Sequence, residues 1–217
     1  MKIEIGQTKP ENFSTAYQGQ YDIFSHYEFA AGIPHALFAV STLKENGLPN
    51  IAFHSWSCFQ GDKNGYFAIL SGLGTHTHTY QNILRTKEFC VNFLSLGYYD
   101  NMIKTIHNNH IDKDEFLIGG FIQEKASVVS CPRIAQSFLS LECICEKILD
   151  ISGAGVNALV IGRVVNMACQ KEYALGFDKK YTKEGFMFNI HSPKNLFSGK
   201  DGYTAVAVLK PVKIIKE

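Results

Sequence analysis

The sequence predicts a mainly β protein, an antiparallel barrel with a few short helices tucked at its ends. Three observations lead there. Apolar and β-branched residues alternate along most of the chain. The connections between these runs are short and rich in Gly, Asn and Ser, as hairpins require. Helical spacing of apolar residues appears only in brief segments. The census is about six to eight strands and two or three short helices in a single domain spanning residues 1–217.

Taken in order, the first ~20 residues are an irregular, polar lead-in. His35–Leu43 is the first strand, apolar and β-branched throughout. Asn46-Gly47 then predicts a type I′ hairpin turn, because both central residues of that turn need positive φ. The return strand is Asn50–Trp56, and Gly65–Ser71 is another. Tyr80, Ile83 and Leu84 fall at i, i+3 and i+4, the apolar face of a short helix over Thr79–Thr86. Glu88–Ser95 returns to alternation, with Phe89, Val91 and Phe93 on one side. Tyr99–Asn108 is a second, weaker helix, and Asp112–Glu124 an acidic surface excursion containing Gly119-Gly120 and a turn of helix. Leu139–Ile151 and Ala158–Ala168 are long strands joined by Ser152-Gly153-Ala154-Gly155. Tyr203–Lys213 closes the chain as a last strand, with Ala205, Ala207 and Leu209 alternating.

Composition narrows the function. Lys+Arg is 21 and Asp+Glu 20, a net charge of +1, so the basic surplus that tracks a nucleic-acid backbone is missing. No apolar run approaches the ~18 residues of a membrane span. Met1–Pro10 holds no apolar leader core, so the expected location is the cytoplasm. Charged residues are only 19% and aromatics 12%, which points either to a large core or to a surface covered by another subunit. The six cysteines include no Cys-x-x-Cys pair and read as small core hydrophobes, Cys143 and Cys145 on one face of a strand.

Several motifs mislead. Gly153-x-Gly155-x-x-Ala158, with Glu172 downstream, fits a dinucleotide fingerprint, but the β-branched run from Leu159 to Val165 is a strand where that fingerprint needs a helix. His76/His78 and His107/His110 are paired histidines without further ligands in register, so no metal is expected. No Gly-x-Ser-x-Gly or comparable nucleophile motif occurs, and no catalytic side chain is assigned.

The informative segment is Gly72–Ile83: a strand end, a loop carrying Thr75, Thr77 and Thr79, and a helix start near His78. A helix N-terminus is an anion seat, and threonine hydroxyls would serve a phosphomonoester. A threonine there also serves as an ordinary cap, and the residues leave both roles open. Trp56, the lone tryptophan, stands among small polar neighbours in His54-Ser55-Trp56-Ser57-Cys58. It would line a planar ligand there or plug the barrel mouth.

These pieces together resemble the flavin reductase-like FMN-binding split barrels, flavoredoxin among them. The resemblance runs from about Ile33 to Val206. It rests on Ile33-Pro34-His35, Asn46-Gly47-x-Pro49-Asn50, Trp56 with its neighbours, Thr77-x-Thr79-Tyr80-x-Asn82-Ile83 and Phe89-x-Val91-Asn92. It continues through Asp114-Glu115-Phe116, Cys131-Pro132-Arg133-Ile134-Ala135-x-Ser137, Leu141-Glu142-Cys143 and Leu159-Val160-Ile161-Gly162-x-Val164. It implies a homodimer holding FMN near the subunit interface, with His54, Ser55, Trp56, Ser57 and Cys58 against the isoalloxazine ring and Thr75, Thr77 and Thr79 at the phosphate. It also implies electron transfer from NAD(P)H, or a flavoredoxin-type carrier without NAD(P)H turnover that docks a redox partner, for which Asp112–Glu115 is a candidate patch. Relatives often carry Lys or Arg where this chain has Gly74-Thr75; Arg85 and Lys63 are the candidate substitutes. A related barrel holding a pyridoxal phosphate is the third reading.

Overall fold

Local sequence sets each element in turn. Two short helices come first, α1 (Gln20–Ile23) and α2 (His26–Ala31). Ser25 Oγ caps α2 by accepting from Tyr27 N–H, and Gly32, at φ 57°, stops it. Then follow β1 (His35–Leu43), β2 (Pro49–His54), β3 (Ser57–Asp62), β4 (Gly65–Gly74), α3 (His78–Thr86) and β5 (Glu88–Phe93). A 3-10 turn leads into α4 (Tyr99–His107) and α5 (Glu115–Gly119). The remainder is β6 (Gln123–Glu124), β7 (Arg133–Ile134), β8 (Leu139–Leu149), β9 (Asn157–Cys169), α6 (Lys171–Ala174), β10 (Met187–Ile190) and β11 (Ala205–Val208). The computed structural model describes every residue except 108, 176–178, 201, 214, 216 and 217.

The chain forms two units, residues 36–187 with 208–217, and residues 1–35 with 188–207. In the second, Phe29 gathers Tyr21, Phe24 and His191 with ring centroids 5.4–6.2 Å apart. In the first, strands run in the order β1-β5-β8-β9-β4-β3, with β2 paired to β1. Each of these pairings is antiparallel. Strands β2 and β3, consecutive in sequence, stand at the two ends of this order and do not pair with one another. The fold is therefore an antiparallel barrel split between β2 and β3, as the sequence predicts.

Its interior is a cluster of Phe38, Val40, Leu70, Ile83, Phe89, Val91, Leu141, Cys143 and Val160, together with their neighbours. The alternation along β5 sends Phe89, Val91 and Phe93 into it, while Cys90 packs on the other side with Ala126, Val129 and Cys131. Gly162 is required within β9: a Cβ there would lie 2.3 Å from the Phe89 ring. All six cysteines are free thiols, with Cys143 and Cys145 both buried in the main cluster.

Five expectations need correction. The Asn46-Gly47 turn is not type I′. Gly47 has φ 82° but Asn46 is not in the positive region, and Lys44 N–H bonds Leu48 O at 2.8 Å around a longer loop. The cause lies far away in sequence. The Lys44 ammonium is fully buried, 2.9 Å from Glu115 and 2.9 and 2.8 Å from the carbonyls of His110 and Lys113, and this draws the chain inward at Lys44. The acidic stretch Asp112–Glu115 is accordingly not a wholly solvated patch. Glu115 is 0% exposed and also accepts the Ile51 N–H. Strand β2 stops at His54, leaving Trp56 in the corner before an unforeseen strand, β3. Strand β4 does not end at Ser71 but runs to Gly74, bulging between Leu70 and Leu73 where Gly72 takes φ 63°. The last expected strand is shorter, Ala205–Val208. The expected end of the second helix, Asn108, lies outside the described residues; the helix is described to His107.

Candidate functional site

The site is built where the barrel splits. His54 ends β2 and is 8% exposed; its Nε2 lies 3.0 Å from Trp56 O, and its ring meets Phe38 edge-on at 5.7 Å. These contacts fold the chain back so that His54–Ser57 turns the corner from one end strand to the other. Ser55 is buried, and its carbonyl accepts from Ser57 Oγ at 3.2 Å. Trp56 is half-buried and lies over Gly72, so that a Cβ on Gly72 would be 3.5 Å from the indole Cε3. The β4 bulge thus gives the indole its seat. Cys58 is exposed on β3.

Among the described residues, strand β3 pairs with β4 alone, and its other edge is open to further pairing. Ser71 N–H donates to Trp56 O at 2.9 Å, which fixes Trp56 and Ser71 as a hydrogen-bonded pair, with Ser57 opposite Leu70 next along. Hydrogen-bonded and non-hydrogen-bonded pairs alternate in an antiparallel ladder, so the main-chain groups of Ser57 and Phe59 face the open edge.

From the bulge, β4 leads directly to the loop before α3. Thr77 is the cap: its Oγ1 accepts from Tyr80 N–H at 3.2 Å and donates to Gly74 O at 2.8 Å. Thr75 Oγ1 donates to Gly155 O at 2.7 Å, and Thr75 N–H to Val156 O at 2.9 Å. The glycine loop that mimics a dinucleotide fingerprint is therefore a hairpin between β8 and β9, and it braces Thr75. Thr79 is 2% exposed, and its Oγ1 accepts from Asn50 Nδ2 at 3.0 Å, tying α3 to β2. The threonines shape the loop and anchor the helix, while the main-chain amides at the start of α3 are the anion-directed groups. No acidic residue stands in the first turn of α3. The nearby Asp150 carboxylate is turned into its own loop, where the Gly155 N–H and then the Gly153 N–H hold its pKa below the usual carboxylate value.

Of the two candidate cations, Arg85 lies one residue from the end of α3, eight residues and roughly 12 Å along the axis from Thr77. Its guanidinium donates to Leu43 O at 2.6 Å. Lys63 sits in the β3–β4 turn. Neither takes the place left by Gly74-Thr75 at the loop itself. Sequence reasoning missed Gly72, Asn50 and the 150–156 loop. Gly72 was visible only as one glycine of a loop, and Asn50 and Gly155 act through partners distant in sequence. Among the described residues, no cluster of three or more potential metal ligands exists, and no helix is long and apolar enough to cross a membrane.

Comparison with known proteins agrees with this geometry. The family model described as flavin reductase like domain matches residues 30–185. A curated relative, an uncharacterized protein of Aquifex aeolicus, is 30% identical over 122 residues, 55% of this chain; the match spans 62% of that relative's length. Among solved structures, a split barrel domain protein of Shewanella frigidimarina assigned as a flavin reductase superposes with TM-score 0.75 at 15% identity, covering 99% of this chain and 100% of that one. Nitrilotriacetate monooxygenase component B of Bacillus cereus follows with TM-score 0.70 at 18% identity, covering 98% and 100%. Flavoredoxin of Desulfovibrio vulgaris gives 0.64 at 16% identity, covering 83% and 90%. At these identities the structures speak for the fold.

Proposed function

The chain belongs to the flavin reductase-like domain family, and from that premise we propose that it binds FMN at the split and moves electrons through it, with NAD(P)H as hydride donor. The observation that carries this reading is the continuity of the site. One stretch, from Trp56 on its glycine seat through β4 to the capped start of α3, offers a flat indole, an open strand edge and an anion seat in succession. When bound, the flavin supplies two-electron chemistry that no side chain here provides: hydride accepted from NAD(P)H and electrons passed to oxygen, free flavin or a redox partner.

The residues have distinct tasks. Trp56 covers one side of the ring and excludes water. The Ser57 and Phe59 amides on the open edge of β3 serve its polar rim, with Ser55 and Cys58 completing the lining. Buried His54 holds the corner through Trp56 O. The phosphate rests on the first amides of α3, in a loop set by Thr75, Thr77 and Thr79. We further propose a homodimer working in the cytoplasm, where six free thiols are at home.

An absorbance spectrum of the freshly purified protein, repeated after FMN is added and excess removed, tests the cofactor. Flavin bands near one per chain are expected, and a chain that retains none refutes the site. Anaerobic NAD(P)H should then bleach the bound flavin. A flavin that stays oxidised would make the chain a carrier.

A further inference from the structure

Outside the split, a strap of chain crosses the outward face of β5. Phe89, Val91 and Phe93 point into the barrel, so Glu88, Cys90 and Asn92 face the other way, toward the segment from Ser127 to Ile134. Polar groups fasten this strap at both ends. Glu142, opposite Cys90 on β8, accepts the N–H groups of Ser127 and Val128 at 3.0 and 2.7 Å. Glu88 accepts the Ser130 N–H at 2.7 Å. At the far end, Ser41 Oγ donates to Pro132 O at 2.6 Å, and Asn92 Oδ1 accepts the Ile134 N–H at 3.1 Å.

In the middle of the strap the fastening is a pair of thiols. Cys90 is 0% and Cys131 1% exposed; their sulfurs lie 3.7 Å apart, and Cys90 Sγ is also 3.6 Å from Cys131 O. An S–S bond of about 2.05 Å requires the two sulfurs to approach by roughly 1.7 Å. Cys90 is held on a strand paired on both edges, to β1 and β8. Cys131 sits in a loop, so the strap makes the approach. The strap also provides access. Ser127, Val128 and Ser130 are exposed on it, and Ser130 adjoins Cys131, so a local opening at that residue brings a small oxidant to the sulfur.

We propose that Cys90 and Cys131 are a dithiol that a hydroperoxide closes to a disulfide, fastening the strap covalently to β5, and that a small thiol reopens. The bond to Cys131, and then burial, push the Cys90 thiol well up. Cys90 therefore keeps its proton and donates it within the pair, and Cys131 is the sulfur that attacks. Its thiolate forms an S–O bond as the O–O bond breaks, leaving a sulfenic acid and, with one proton, water. Cys90 sulfur then attacks Cys131 sulfur: the S–S bond forms, the S–O bond breaks, and a second water leaves with the Cys90 proton. The two sulfurs lose two electrons and the peroxide gains them. A small thiol reverses the bridge by exchange and leaves as its own disulfide. Buried thiols are inert while the strap is down, so opening sets the rate. The bridge spans 41 residues of sequence, and a loop of that length strongly restricts the unfolded chain. None of this requires bound flavin.

The test treats the full reduced chain with hydrogen peroxide, alkylates the remaining thiols and maps peptides digested without reductant. The Cys90 and Cys131 peptides are expected as one cross-linked species, two hydrogens lighter than their sum. The thermal midpoint of the bridged chain should rise by at least about 5 °C and return on addition of dithiothreitol. Cys131→Ala should show neither the cross-link nor the gain. Should that variant not fold, the peptide map of the unaltered chain decides alone, with exposed Cys58 reporting that the oxidant was active. Cys90 and Cys131 both alkylated after Cys58 has been oxidised would overturn the proposal. So would a bridge through Cys58 or Cys169 or between two chains, a Cys131 sulfinic acid beside an alkylated Cys90, or a Cys90–Cys131 bridge that leaves the midpoint where it was.

Discussion

Two buried carboxylates show how single side chains hold this structure, and they titrate in opposite senses. Burial pushes Glu115 up from the usual value, against the pull of Lys44 and the Ile51 N–H. The stability tied to its proton is thus present at low pH and is lost as pH rises through the raised value. Glu142 is also buried, which alone would raise it. The amides of Ser127, Val128 and Val129 and the Asn166 side chain outweigh burial and hold it below the usual value. Its contribution is present above the unfolded carboxylate value and is lost as pH falls through the lowered one. Glu142 also meets Arg133 Nη1 at 3.1 Å, so it organises the whole 125–133 loop. Replacing it by Gln should cost about 3 kcal/mol near pH 7, because Arg133 loses its buried partner. Urea midpoints measured from pH 7 down to 3 should show the difference between Glu142→Gln and the unaltered chain shrinking with acid. A constant difference across that window would mean that the amides, not the charge, do the holding.

Elements were legible where local pattern and tertiary burial agree. Strand β1 was readable to both ends because its residues are apolar and β-branched and most are buried. The start of α3 was readable because a cap is a local device. Strand β3 was not. Paired on one edge only, with most residues exposed, it needs no alternation, and Ser-Cys-Phe-Gln-Gly-Asp shows none. The β1–β2 turn escaped for a different reason: a lysine in a loop reads as solvated, and only Glu115, far along the chain, makes it a core residue. For the site, the corner at Trp56 and the loop of threonines were visible as segments, but the partners of those threonines were not, since Thr75 and Thr79 bond chain segments distant in sequence. The element that most directly links stability to ligand binding is α3. Thr77→Ala removes the acceptor for Tyr80 N–H and should cost about 1 kcal/mol in a urea titration with unchanged slope. Because it also loosens the amides proposed to hold phosphate, its FMN affinity should fall several-fold. The control is Gly162→Ala, which drives a methyl into Phe89 and should cost about 1–3 kcal/mol while leaving FMN affinity unchanged in whatever fraction stays folded.

At the scale of the whole molecule, the proposed second subunit follows from what the surface lacks. Only 19% of residues are charged, against a usual share of about 25%. Large apolar side chains stand in water in the unit that carries the site: Leu117 at 77%, Ile122 at 65% and Ile151 at 76%. Single exposed apolar residues are ordinary on a monomer, but sparse charge combined with several of them is the composition of a face that is covered. The split gives a second reason. A ligand lying on the open edge of β3 is flanked by one end strand on each side and remains open toward solvent, and a subunit laid across it would exclude water from the ring. A stable interface of this kind covers about 800 Å² per partner. Sedimentation equilibrium at micromolar concentration should therefore return twice the 24.3 kDa chain mass, in the flavin-loaded and the flavin-free protein alike. Mass action then predicts the coupling. If flavin seals against the partner, loading it should lower the dimer dissociation constant, and Trp56→Ala should weaken both FMN binding and dimerisation. A monomer that still binds FMN in the micromolar range would show that the low charge reflects only a large core and that the split holds its ligand alone.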